Sequence, residues 1–306
     1  MRSTDRDGGD KRGHDNGRGE ERSLVVTADD FGLSREVNEA VEIAHRDGIL
    51  TSASLMVAEP WAEDAVARAR RLPGLAVGLH LVLIEARPVL PPERIPDLVR
   101  ADGKLRTDLA RYGAEIFFRP AVKRQVAAEI EAQFQAYART GLPLDHVDAH
   151  KHYHLHPTIA GLVISIGRRY GMRALRVPVE PPETLGQVEP VRRGLEARLA
   201  GPWAKMLRAR ARGAGLVVPD SVLGLAWSGA MTPDRVAGLI RNLPAGRTEL
   251  YAHPAMRGGF EGEAPGYRYA EEFAALTAAV NRDALAASGA TLSSYATWAG
   301  SRRSTA

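Results

Sequence analysis

Short, β-branched apolar runs alternate with amphipathic stretches from residue 23 almost to the end of the chain, and that alternation leaves few folds open. "SLVVTA" (23–28), "TSASLMV" (51–57) and "LAVGLHL" (75–81) read as strands. Helical patterns separate them. Ser34 can cap a helix whose apolar stripe is Val37, Ala40, Val41 and Ala44 and which stops at Gly48, and "WAEDAVARARRL" (61–72) reads as a second helix. A strand, a helix and a second strand in that order return to the same sheet in parallel. Helices are expected again near 120–139 and 157–170, with strands at 144–150, 174–179, 221–226, 248–253 and 290–295. Eight strand candidates alternating with helices predict an α/β fold, a parallel, TIM-like β/α barrel.

Two regions break the pattern. Residues 1–22 hold almost nothing apolar and read as a disordered tail, and 301–306 as a short C-terminal tail, leaving one domain over 23–300. Residues 84–119 are too long for a simple connection and rich in proline, the profile of a functional lid or binding loop. At 306 residues the chain can bury a sizeable core as one barrel. With no cysteine, disulfides and thiolate metal sites are excluded. No apolar run is long enough to span a bilayer and no signal-peptide core is visible, so a soluble, cytoplasmic protein is expected.

The chemistry concentrates in "DHVDAHKHYHLHP" (145–157), which carries five of the nine histidines. In a β/α barrel, reactive groups collect at the C-terminal ends of the strands. Those ends offer Asp29 and Asp30, His80, Asp148 and His150, Arg176 with Glu180, and His253. Each has a plain alternative. The adjacent aspartates could cap a helix, His80 could be a satisfied core histidine, and His253 could be a loop residue. His152, His154 and His156 cannot all bind one ion, because alternate residues of a strand step about 6.6 Å along it while ligands lie about 2 Å from a metal. Taken together, one carboxylate and two histidines from different strand ends form a metal site with open positions, the arrangement used for hydrolysis, and a second carboxylate beside the first can serve as general base. Whether His152 or His154 replaces His150 as ligand stays open.

Five ordered segments, "TADDFGLSREVNEAV", "GLHLVL", "DAHKHYHLHP", "RVPVEPP" and "ELYAHP", resemble the YdjC-like carbohydrate deacetylases, also called the ChbG family, over essentially all of 23–300. "VLGLAWSGAMT" (222–232) and "APGYRYAEEFAAL" (264–276) resemble the hopanoid-biosynthesis branch of that family. The resemblance implies a deformed barrel related to polysaccharide deacetylases, and hydrolysis of an N-acetyl group on an amino sugar. In the hopanoid branch that sugar is the N-acetylglucosaminyl headgroup of a bacteriohopanetetrol lipid. It also implies one divalent metal, commonly magnesium, on Asp30, His80 and His150, with Asp29 as base. The family's common "DSHQHVH" is here "DAHKHYH", which changes the neighbours of His150 through Ala149 and Lys151.

On chemical grounds His253 is the candidate acid for the leaving amine, and Arg176, Glu180, His152 and His154 are candidate substrate contacts. An Asp/His/His set suits zinc better than magnesium. Other metal-dependent hydrolases, such as a phosphoesterase or glycosidase, and a catalytically inactive carbohydrate- or lipid-binding barrel are the competing readings. The arginines of 168–212 come without the aromatic pattern of nucleic-acid binders, so no nucleic-acid partner is expected. Within them, 203–216 places Trp203, Met206, Leu207 and Ala211 at helical spacing beside Lys205, Arg208 and Arg212. That stripe fits either an inward-packing barrel helix or a peripheral contact with an anionic membrane surface. A homo-oligomer is left open.

Overall fold

The computed structural model describes residues 21–191 and 195–301. The elements run β1 (Arg22–Phe31), α1 (Arg35–Asp47), β2 (Ser52–Leu55), α2 (Ala62–Arg70), β3 (Ala76–Leu81), α3 (Leu109–Phe118), α4 (Pro120–Arg139), β4 (Val147–Ala149), α5 (Pro157–Arg169), α6 (Pro182–Gly186) and α7 (Leu195–Gly213). They continue through β5 (Ser221–Leu223), α8 (Pro233–Arg241), β6 (Gly246–Ala252), α9 (Tyr269–Thr277), α10 (Ala279–Ser288), β7 (Thr291–Leu292) and α11 (Tyr295–Ser301). Residues 1–20 and 302–306, most of the expected tails, lie outside the described residues, while Arg22 already belongs to β1.

The strands form a curled parallel sheet in the order β4-β3-β2-β1-β6-β5, with β7 joined to the start of β1. The parallel, TIM-like α/β architecture expected from the alternation is therefore present, as a curled half-barrel with seven strands among the described residues instead of eight. The inner strands are buried over most of their length because helices cover the sheet, so apolar residues dominate β1 and β3, while β2 interleaves Ser52 and Ser54 with Ala53 and Leu55. Ser34 caps α1 by accepting the Val37 N–H at 3.2 Å, and Val37, Ala40, Val41 and Ala44 are all 0% exposed. Gly48 ends the helix where Leu276 crosses it. A Cβ there would sit 2.2 Å from the Leu276 carbonyl oxygen.

Three expectations change. The predicted strand 174–179 makes only isolated parallel bridges, Val147 with Leu175 and Ala174 with Val217. Pro178 and Pro181 supply no N–H for a regular ladder. Even so, Arg176 N–H to Val147 O and Val222 N–H to Val179 O, both 2.9 Å, carry the curl from β4 toward β5. Residues 84–119 are not a bare loop either. They contain a short 3-10 turn, an antiparallel bridge between Val99 and Leu105, and α3. They also bury Ile95, Leu98, Leu105, Tyr112 and Ile116 completely. These side chains join the main core of the barrel. Finally, the stripe on α7 is split. Leu207 and Ala211 are buried, Trp203 and Met206 are 47% and 44% exposed, and Arg212 pairs with Asp220 at 2.7 Å. No helix of the described residues is long and apolar enough to cross a membrane.

Candidate active site

The ladder between β1 and β2 runs in register at Thr27 and Ala28, then shifts before Phe31. Asp29 and Asp30 occupy that irregularity. Asp30 has φ 61°, a left-handed conformation that aspartate tolerates better than most residues. The turn parts two adjacent carboxylates. Asp29 faces a guanidinium, and Asp30 faces two imidazoles.

Asp30 Oδ1 lies 3.3 Å from His80 Nε2 and 3.4 Å from His150 Nδ1. Asp30, His80 and His150 each offer one ligand atom, and all three atoms lie within 4.8 Å of one another. Asp30 Oδ1 and His80 Nε2 are buried and have no hydrogen-bond partner. Polar atoms buried without partners are rare and call for an explanation. One oxygen and two imidazole nitrogens converging in this way fit a divalent metal ion. Burial opposes the charge on Asp30, but His150 and His80 outweigh it and hold the carboxyl well below its ordinary range.

A supporting layer holds this triad. His80 Nδ1 lies 3.0 Å from Asp148 Oδ1, which turns Nε2 toward Asp30. The other Asp148 oxygen accepts from Ser54 Oγ at 2.9 Å and faces Arg176 at 2.6 Å. Arg176 is 0% exposed. It donates to both Asp29 oxygens at 2.7 and 2.8 Å and to both Glu249 oxygens at 2.9 Å, under the Tyr251 ring at 4.7 Å. Asp29, His80 and Asp148 also cluster as potential ligands. There, however, the Arg176 guanidinium already lies against both carboxylates. Burial raises the Asp29 pKa; Arg176 pulls the other way, and the net shift is upward, toward a stronger base.

The other candidates separate by position. Asp29, Asp30, His80, His150, His152 and His253 line one cleft of about 230 Å³. His253 Nε2 lies 3.9 Å from Asp29 Oδ2, and its Nδ1 lies 3.7 Å from Glu272. Burial disfavours the imidazolium, yet Glu272, Asp30 and Asp29 outweigh it and raise the His253 pKa. The chain leaves β4 through a 3-10 turn in which Lys151 and His152 have φ 50° and 52°, so the alternate histidines do not share a strand face. His152 meets the Tyr251 hydroxyl at 3.1 Å.

Three expected substrate contacts are corrected or given a different task. His154 is 1% exposed and donates to the Arg176 carbonyl at 2.9 Å, so it braces the backbone out of reach of the cleft. Arg176 is likewise sealed in and orients carboxylates. Glu180 accepts the N–H groups of Gly224, Leu225 and Ala226 at 2.9–3.0 Å and so shapes the loop before Ser228. The fifth histidine of the cluster, His146, is buried between Asp145 and Ser54.

Sequence reasoning missed several cleft residues. Glu85 lies 3.8 Å from His150 and 2.5 Å from Lys151, and these two hold its pKa at about 2. It belongs to the segment read as a loop. Tyr251 precedes His253 by two residues, a period-two signal for the same strand face. Tyr267 meets Ser228 at 3.0 Å and packs so closely on Gly229 that a Cβ there would sit 2.3 Å from the ring.

The sequence matches the family described as YdjC-like protein over residues 23–287. It is 32% identical over 236 residues to a carbohydrate deacetylase of Geobacillus stearothermophilus, covering 76% of this chain and 80% of that protein. It is 38% identical over 166 residues to a carbohydrate deacetylase of Brevibacillus brevis, covering 54% of this chain but only 62% of the relative, less than two thirds of its length. A crystal structure from Enterococcus faecalis V583, described as a candidate cellobiose-phosphate cleavage protein, superposes with a TM-score of 0.70 over 91% of this chain and 99% of that one. At 24% identity that likeness establishes the common fold.

Proposed function

The chain belongs to the YdjC-like protein family, and on that premise we propose that it is a metal-dependent carbohydrate deacetylase that hydrolyses the N-acetyl group of an amino sugar. The relatives named carbohydrate deacetylase support the substrate class. The observation that carries the reaction type is the pair of orphaned buried atoms, Asp30 Oδ1 and His80 Nε2, facing one another beside Asp29.

Amide hydrolysis needs a polarised carbonyl, an activated water and a proton for the leaving amine. A divalent ion held by Asp30, His80 and His150 would supply the polarisation and acidify a water. Asp29 takes the proton of the attacking water as the oxygen bonds to the carbonyl carbon. Its two hydrogen bonds to Arg176 fix its direction and leave a free lone pair on each oxygen. The C–N bond then breaks, and His253 Nε2, on the same side of the cleft as Asp29, gives its proton to the departing nitrogen. Acetate and a free amine result. Magnesium follows from the family resemblance. The donor set of one oxygen and two nitrogens suits zinc better.

The finer reading is the N-acetylglucosaminyl headgroup of a bacteriohopanetetrol, from the resemblance to the hopanoid-biosynthesis deacetylase HpnK. The two segments behind that resemblance meet at the cleft, where Ser228 touches Tyr267 and the Met231 N–H donates to Glu272 at 2.9 Å. Exposed Trp203 and Met206 beside Lys205 are the side chains that would meet a membrane surface during such a reaction. The test is mass spectrometry of the hopanoid glycolipid and of a soluble N-acetylglucosaminide after incubation, with and without a chelator. The expected result is chelator-sensitive release of acetate. Phosphate or a cleaved sugar in its place would refute the reading.

A further inference from the structure

The corner between α3 and α4 exposes what a folded chain usually hides. Phe117 and Phe118 are 58% and 77% exposed, the two most exposed large apolar side chains among the described residues. Their rings meet edge to face with centroids 5.0 Å apart. The sequence explains their position. Tyr112, Gly113 and Ile116 form the buried face of α3, which leaves Phe117 and Phe118 past the buried stripe in its last turn. Pro120 opens α4 and keeps Arg119 extended, with φ −105° and ψ 107°, so α3 stops at Phe118 and the rings stand at an abrupt corner.

The corner is firmly anchored. The Tyr153 hydroxyl donates to Leu109 O at 3.0 Å, its ring stacks on Tyr112, and the Phe117 ring lies 6.3 Å from that of His156. These contacts fasten α3 to the turn that runs on from His150, at the catalytic end of β4. Two rings held in water are unfavourable in proportion to their apolar area, and an apolar patch with a polar rim marks a surface that meets a partner.

The rim selects the partner. Arg111, Arg119, Lys123 and Arg124 flank the rings in the sequence, and between Arg111 and Arg124 the one acidic residue is Glu115. Glu115 is already shared by Arg106, Arg111 and Arg119, at 2.8, 3.1 and 3.1 Å, and Arg119 also reaches Asp97 at 3.3 Å. Lys123 and Arg124 are exposed and have no carboxylate partner among the described residues. An apolar protein groove would cover the rings and leave these cations idle. An anionic bilayer takes both, the rings at the acyl boundary and the cations on the phosphates, and it needs no shaped groove.

We propose that the α3–α4 corner is a membrane-docking tip: Phe117 and Phe118 enter the acyl boundary of an anionic lipid surface, and Lys123 and Arg124 hold its phosphates. This surface is separate from the Trp203 and Met206 stripe of α7, and it needs neither the deacetylase reading nor a lipid substrate.

The test uses the full chain and vesicles of phosphatidylcholine, alone or with about one third phosphatidylglycerol. Sedimentation should show at least about tenfold tighter binding to the anionic vesicles, weakened by added salt. The double variant Phe117→Ser, Phe118→Ser should lose at least about tenfold of that affinity, and Lys123→Glu with Arg124→Glu should lose the preference for anionic lipid. All four positions are exposed, so urea midpoints should match the wild type. Phe118→Trp keeps an aromatic ring and decides alone if a double variant unfolds: its emission should shift to the blue on anionic vesicles and be quenched by brominated acyl chains. Unshifted, unquenched emission would overturn the tip. So would wild-type protein that does not bind anionic vesicles, or a phenylalanine variant that binds them as well as wild type. A loss in Trp203→Ser, Met206→Ser with none in the phenylalanine variant would overturn it in favour of α7. A dimer seen by analytical ultracentrifugation, lost in the phenylalanine variant and accompanied by no vesicle binding, would make the corner an interface between copies instead. Turnover enters none of these measurements, so failure of the tip and failure of the deacetylase reading are told apart.

Discussion

Asp148 fixes which face His80 shows to the cleft: one of its oxygens lies 3.0 Å from Nδ1, so Nε2 is left pointing at Asp30. Removing the charge of Asp148 should therefore act on the metal site without touching a ligand. Asp148→Asn is expected to weaken divalent-metal affinity by about 10–100-fold, the usual effect of losing such a partner. His80→Ala and His150→Ala should lose stoichiometric metal altogether. Competition titration with a chelating dye and elemental analysis read these outcomes, and full metal content in both alanine variants would exclude the ligand assignment.

Asp29 makes the opposite prediction. Its carboxylate is already held by Arg176, so Asp29→Asn should keep the metal while the rate falls by roughly 10²–10⁴-fold. Metal content and turnover, measured on one preparation, decide it. Loss of metal would place Asp29 among the ligands instead.

Arg176 is the keystone of the layer beneath. Replacing it with Met leaves Asp29, Asp148 and Glu249 buried against one another without their cation. Removing one partner of a buried ionic group typically costs about 3–5 kcal/mol. Urea unfolding of Arg176→Met should show a loss on that scale. Arg176→Lys should restore only part of it, because an ammonium cannot make the two paired contacts on Asp29 and Glu249. A change within about 0.5 kcal/mol, the range of ordinary surface substitutions, would contradict this.

His154 gives a pH signature. Burial lowers its pKa to about 4, against an ordinary value of 6.5. Between those values the unfolded chain binds the proton and the folded one does not, so stability is full above pH 6.5 and falls as pH drops toward 4. The shift corresponds to about 3 kcal/mol at most. Denaturation midpoints recorded across that window should flatten in His154→Gln relative to wild type. An unchanged slope would show that other groups carry the acid sensitivity.

The fold was readable because a parallel barrel writes its strands as uninterrupted apolar runs and its helices as stripes, and Ser34 and Gly48 mark the ends of the first helix. What the pattern could not reveal was direction. Arg176 sits at a strand end like the other candidates, and only its three carboxylate partners show that it faces inward. His154 looked like His152 in the sequence until two left-handed residues rotated the chain after His150. Glu85 comes from a connection between elements, where no periodicity says which side chain turns back over the barrel. Glu249 lies in a strand next to apolar residues, and its burial makes sense only once Arg176, Thr27 and Tyr295 are seen around it.

Three carboxylates, from Asp29, Asp148 and Glu249, are buried around a single guanidinium, and Asp30 is buried beside them against His80 and His150. Folding thus concentrates negative charge that one arginine cannot neutralise, and a divalent ion at Asp30 would relieve part of the self-repulsion. A bound ion would then be a thermodynamic partner of the native state, adding about 2.7 kcal/mol at a free concentration one hundred times its dissociation constant. Under that linkage a cell's metal supply would govern how long the polypeptide survives proteolysis as well as how fast it turns over, so scarcity would lower the amount of enzyme and its activity together.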